Sequence, residues 1–197
     1  MFSIRRPSLS QIEQFIQESK NLALSYHPIG IANQNPSGFV ADEAIAVIGS
    51  GRDAFERTKT ALIKWKQFDL GWVELFPRGA SIEPGSDVAV LAYHLGFWSL
   101  NGCRVVYTID DREGARFGFA YGTLTNHAEC GEEIFEVSLN ERDEVIYRIR
   151  AVSKPRAAFT RIGYPITRTL QARFRRDSIR AMRKALGSPS PSDRGLG

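Results

Sequence analysis

The densest run of residues able to do chemistry lies between Tyr121 and Phe135, where Tyr121, Thr123, His127, Glu129, Glu132 and Glu133 follow one another closely. A histidine titrates near neutrality, and a carboxylate beside it can orient the ring and tune its proton uptake. His127 with Glu133 or Glu129 is therefore a candidate acid–base pair. The same carboxylates could gather a hard cation, but their spacing matches no calcium loop. They could also be structural, accepting turn N–H groups or pairing with Arg104, Arg148 or Arg150 across neighbouring strands. On the residues alone the structural reading is the favoured one, with the acid–base and cation readings left open beside it.

Other motifs carry less. His127-x-Glu129 is half of a zinc deaminase signature, but no Pro-Cys-x-x-Cys completes it. Cys103 and Cys130 are the only cysteines, too few for a disulfide framework or a four-cysteine metal site. They suit a reducing compartment as small buried hydrophobes. Gly49-x-Gly51-x-x-Ala54 has the form of a dinucleotide-binding loop, but antiparallel hairpins follow it and Asp53 would face the phosphates. A tight turn accounts for the glycines more simply. His27, His94 and His127 have no marked serine partner, and no G-x-S-x-G occurs. No metal or cofactor is expected.

These residues need a frame to hold them. Residues 9–23 have the spacing of a short amphipathic helix, with Ser10 as a plausible N-cap. A strand is expected over 44–48 and a helix over 53–68, where Phe55, Thr58, Leu62, Trp65 and Phe68 recur three and four apart. From Gly71 the period becomes two. Strands are expected over 72–76, 87–95, 103–110, 116–124, 133–139 and 144–152. Short links favour hairpins, and alternation implies one wet and one buried face. Val105, Tyr107 and Ile109 share one predicted face, as do Phe117, Phe119 and Tyr121, then Phe135, Val137 and Leu139, then Val145, Tyr147 and Ile149. A long helix over 167–185 carries the stripe Leu170, Phe174, Met182 and Leu186.

The predicted class is α+β: a curved antiparallel sheet of about six to seven strands gripping a long C-terminal helix. One helix stands between the first two strands, and another lies at the N-terminus. Residues 1–186 form a single domain in this reading, with 187–197 a disordered tail. A sheet curled on a helix commonly leaves a cavity. Tyr107, Phe119, Tyr121, Thr123, Phe135 and Tyr147 are its expected lining, with tyrosines as polar handles for a small hydrophobic molecule.

Net charge is +4 but blocky: Met1 to Ile149 holds 14 Lys+Arg against 20 Asp+Glu, and the rest holds 12 against 2. The final helix concentrates Arg173, Arg175, Arg176, Arg180 and Arg183 on its polar side. Docking onto the acidic body is one use of that face; an anionic membrane or RNA is another. Exposed aromatics do not interleave with the arginines, which disfavours nucleic acid. No apolar run reaches the roughly 20 residues of a membrane span, and the N-terminus has no signal-peptide pattern, so a cytoplasmic protein is expected.

Tyr26-His-Pro-Ile-Gly30, Ile48-Gly49-x-Gly51-x-x-x-Phe55, Gly71-Trp72 and the run from Tyr121 to Phe135 resemble the uncharacterised bacterial and plant family catalogued as domain of unknown function nineteen-ninety. Gly163-Tyr164-Pro165, Gln171 and the Arg-rich helix extend the resemblance to about Leu186. It implies a stand-alone domain without an established activity, and its characteristic polar residues are Tyr121, Thr123, His127, Glu129, Glu132 and Glu133. Element order is also similar to the helix-grip superfamily of START-like, pollen-allergen-like and polyketide-cyclase-like proteins, which implies binding of a hydrophobic small molecule.

Overall fold

The computed structural model describes residues 1–111, 113–155 and 164–187; the tail expected over 187–197 lies outside these beyond Gly187. Its elements are β1 (Phe2–Ser3), α1 (Leu9–Ser19), β2 (Val40–Ser50), α2 (Arg52–Ile63), β3 (Val73–Phe76), β4 (Asp87–His94), β5 (Phe97–Asp110), β6 (Arg116–Thr123), β7 (Glu129–Leu139), β8 (Glu144–Pro155) and α3 (Tyr164–Ala185). One antiparallel sheet runs β2-β8-β7-β6-β5-β4-β3, with β1 added on β5. Consecutive strands from β3 to β8 pair as hairpins, which the short links required. The fold class expected from the sequence is the one observed.

The concave face packs Val105, Phe117, Phe119, Phe135, Val137, Tyr147 and Ile149 against Phe55 and Leu62 of α2 and Met182 and Leu186 near the end of α3. Every fourth residue of α3 turns inward, and in the middle of that row Ser178 is fully buried and bonds the Tyr147 hydroxyl at 3.0 Å. The 53–68 helix is shorter than its periodicity: Trp65 takes φ 56°, and its ring stands 4.6 Å from that of Phe119. The cap of α1 is Ser8, not Ser10, because Gln11 reaches back to close a capping box.

Two expectations about faces are corrected. The sheet is not wet on one side: Phe117 to Thr123 on β6 are all buried. Phe76, Leu91 and Leu100 lie under Ile12 of α1, while Tyr26, Ile31 and Ala32 cover the outer side of β6 to β8. Small residues permit this close cover, since any Cβ on Gly122 would strike the Tyr26 ring at 2.7 Å. Secondly, Tyr107 does not share a face with Val105. The β5–β6 register slips between them, with Val105 opposite Tyr121 but Tyr107 opposite Ala120. One extra residue reverses every later side chain, so Tyr107 and Ile109 join the outer cluster while Val105 stays in the core.

Candidate functional site

Alternation along β7 sorts the acidic run into two groups on opposite faces. Glu132 points outward and is only 2% exposed. It receives the Tyr26 hydroxyl at 2.6 Å, the Gly30 amide at 2.9 Å, the Ala32 amide at 3.2 Å and the Tyr107 hydroxyl at 3.0 Å. Four donors on one buried carboxylate make a clamp that fixes the connection from α1 to β2. Both tyrosines are held firmly protonated there, by burial first and then by Glu132. This face carries Tyr107, which the bulge has removed from the concave side.

Glu129 and Glu133 face the other way, into a cavity of about 240 Å³ between the sheet and the first half of α3. Its apolar wall is Phe68, Trp72, Val73, Val90, Ala92 and Phe174. Polar side chains border it as well: Tyr121 and Thr123 from β6, Glu129 and Glu133 from β7, and Gln171 and Arg175 from α3. Phe2, His94, Ser99, Asn101 and His127 also border the space. Of the six lining residues expected from sequence, Tyr121 and Thr123 do line it. Phe119, Phe135 and Tyr147 are fully buried core, and Tyr107 is behind the sheet.

The hydrogen bonds among these groups are directional. Gln171 Nε2 donates to both Glu129 oxygens at 2.9 Å, and the Tyr121 hydroxyl donates to Glu133 Oε2 at 2.7 Å. Thr123 Oγ1 stitches β6 to β7 by accepting from Gly131 N at 2.9 Å and donating to its carbonyl at 3.1 Å. His127 sits in the turn with Nδ1 accepting the Glu129 amide at 2.9 Å, so backbone orients that nitrogen rather than a carboxylate. Arg104 is paired with Asp87, and Arg148 and Arg150 with Glu43, away from the acidic run.

The arginines of α3 divide. Arg168 and Arg175 turn inward to Asp42 on β2, with Arg168 Nη2 at 2.6 Å and Arg175 Nη2 at 3.2 Å from Oδ1. Arg173, Arg176 and Arg180 surround Asp177, which also accepts the Trp72 indole N–H at 3.1 Å, and Arg183 donates to the Val47 carbonyl. Internal docking therefore occupies much of the basic face. Among the described residues no group of acidic, histidine or cysteine side chains is arranged to hold a metal, and no helix is long and apolar enough to cross a membrane.

Burial pushes the Glu133 carboxyl up to about 7; the Tyr121 hydrogen bond and Arg175 pull against this, while Glu129 and Asp42 add to it. Burial likewise raises Glu129, opposed by Gln171 and Arg168. Because folded Glu133 holds its proton more tightly than the unfolded chain, its contribution weakens stability as pH climbs from about 4.5 to about 7, and the full cost remains above that. Glu133→Gln is expected to stabilise the protein at pH 8 by up to about 3 kcal/mol and to change little at pH 4.5. Urea melts at the two pH values check this; an equal effect at both would contradict it.

Residues 25–181 match a family model described as Domain of unknown function (DUF1990). A UPF0548 protein of Dictyostelium discoideum is 34% identical, covering 95% of this chain and 97% of that one. UPF0548 proteins of Arabidopsis thaliana and Deinococcus radiodurans are each 30% identical, over 91% and 95% of this chain and 94% and 100% of theirs. Among solved structures, the Zhui aromatase/cyclase of a Streptomyces species aligns with a TM-score of 0.50 at 10% identity, over 76% of this chain and 94% of that one. The di-domain ARO/CYC StfQ of the steffimycin biosynthetic pathway aligns at 0.51 and 11% identity, over 80% and 53%. Both share the helix-grip arrangement. Leu170 and Phe174 belong to the expected apolar stripe of α3 and Arg175 to its expected basic face, but their place over the cavity, with Gln171 beside them, was not foreseen. Their i, i+1, i+4, i+5 spacing, which puts them on one side of a helix, was the available signal.

Proposed function

The chain belongs to the DUF1990 family, and we propose that it binds a small, largely apolar molecule in the cavity beneath the first half of α3. The observation that carries this reading is a cavity whose exposed lining is mostly apolar, with Phe68, Trp72, Val90 and Phe174 on its wall, and which also presents hydrogen-bonding side chains such as Tyr121, Glu133 and Gln171. Apolar area supplies affinity and the polar groups supply orientation, the usual division of labour in small-molecule sites. An apolar hole of about 150 Å³ accepts benzene, so about 240 Å³ suits a ring compound somewhat larger than that. The fold shared with proteins named aromatase/cyclase agrees with a cavity for small organic molecules.

Trp72 on the cavity wall provides the readout. Titration with 2-naphthol is expected to quench indole fluorescence saturably. Ala151→Phe and Ala92→Phe, each placing a ring into the space from its lining, should weaken that binding at least tenfold, about 1.4 kcal/mol or more. Wild-type protein that takes up no 2-naphthol, or filled variants that bind it as well as wild type, would sink the proposal.

A further inference from the structure

We propose that Glu133 is a proton-transfer residue, its carboxyl group taking and returning a proton of an uncharged ring or carbonyl compound held in the cavity. This deepens the binding reading and rests on it. The argument is one of commitment among the carboxylates that border the space. Glu132 is saturated by four donors from the opposite face, and both oxygens of Glu129 receive Gln171. Glu133 is held at Oε2 by Tyr121 alone, and among the described residues nothing donates to Oε1. Among these three carboxylates it is the oxygen that receives no donor, and so the one most open to a ligand.

The surroundings keep the group ready to act in either direction. Tyr121 on β6, Cys103 on β5, Tyr147 on β8, Glu129 on β7, Asp42 on β2 and Arg175 on α3 are the titratable or charged groups that act on Glu133 or respond to it. Burial holds both the tyrosines and the cysteine in their neutral forms. Arg175, which favours the carboxylate, is itself tied to Asp42, which opposes it. The resulting proton affinity lies close to neutrality, where a general acid–base group works best.

The step balances without any co-reactant. Glu133 Oε1 removes a proton from carbon next to a carbonyl, the C–H electron pair forms a new C=C bond, and the carbonyl pair moves onto oxygen as an enolate. Where the compound carries a C=C bond at its β,γ position the enolate is conjugated with it. Return of the proton to the γ carbon then shifts the double bond to the α,β position, re-forms the carbonyl and regenerates the carboxylate, so the net reaction is an isomerisation. Tyr121 is a positioning residue that fixes the carboxyl plane and sets its titration.

A surrogate can test this without the natural ligand: 5-nitrobenzisoxazole. Loss of its C3 proton to a base forms C≡N from the C–H pair and breaks the N–O bond, releasing a coloured cyanonitrophenolate. Wild-type protein should open the ring at a rate rising with pH through one inflection near 7. Glu133→Gln should lower that rate about 100-fold. Tyr121→Phe should move the inflection up, since it deletes a bond that favours the carboxylate, and Asp42→Asn should move it down. If 2-naphthol is not bound, the cavity reading itself fails. If it is bound but Glu133→Gln opens the probe as fast as wild type, or wild type is no faster than free acetate at equal concentration, proton transfer is overturned and the cavity reading stands. Loss of rate in His127→Ala with retention in Glu133→Gln would overturn it too, by moving the base to the turn.

Discussion

Glu132→Ala is expected to cost about 4 kcal/mol of folding stability. The carboxylate is buried and bonded by two tyrosine hydroxyls and two backbone amides. Each hydrogen bond to a charged group contributes roughly 1.5–3 kcal/mol, and removing the acceptor strands its donors under cover. Water entering the vacated space offsets part of that loss, which is why the sum of four such bonds is not expected. Glu132→Gln keeps the shape but supplies one acceptor oxygen where two were used, so it should fall between alanine and wild type. Equilibrium urea denaturation separates the three. A loss under 1 kcal/mol for the alanine variant would show that the loop from Tyr26 to Ala32 is seated by its apolar contacts instead.

Gly131→Ala is the second large effect, and it acts through backbone. Strands β7 and β8 approach so closely at Gly131 that a Cβ there would collide with the Val152 carbonyl oxygen and lie 2.7 Å from Ser153 Cα. Neither atom can swing away as a side-chain tip could. The two strands must separate locally, which strains the paired Thr123–Gly131 hydrogen bonds on the other side. Overpacking of this kind costs typically 1–3 kcal/mol, and with the stitch disturbed about 3 is expected. The same displacement would tilt Glu129 and Glu133, which flank the glycine on the cavity side, so 2-naphthol uptake should fall along with the melting temperature. Thr123→Val, which removes the stitch without pushing the strands apart, provides the comparison, and it should cost less than the glycine substitution.

Much of the frame could be read from the sequence because its physics is local. Period-two apolarity from Gly71 onward gave the strands, short links gave their antiparallel pairing, and the 170–174–182–186 stripe gave the helix that closes the sheet. The acidic run was visible as a cluster in sequence, but its division was not drawn, although adjacent residues in any strand face opposite ways. Glu132 and Glu133 are neighbours in the chain and belong to different layers of the protein. The slip at Val105–Tyr107 left no comparable signal: an inserted residue among alternating apolar ones looks the same whichever face it starts from. Asp42 was equally hidden. An acid beside Glu43 on an edge strand says nothing of the two arginines that meet it from 126 and 133 positions away. Alternation alone implies a wet face opposite Phe117, Phe119 and Tyr121, but Gly118, Ala120 and Gly122 there are buried, and the missing side chain at Gly122 is what admits Tyr26.

The seating of α3 is uneven along its length. Its later turns are sunk in the core through Ser178, Met182 and Leu186, while its earlier turns rest over a hollow and are tethered by Asp42, Glu129 and the Trp72–Asp177 contact. Those polar links share the load with Phe174, whose ring packs on Phe68 and Phe135. Ionic strength weakens ion pairs far more than it weakens apolar packing, so added salt is expected to loosen the cover over the hollow before it touches the buried half of the helix.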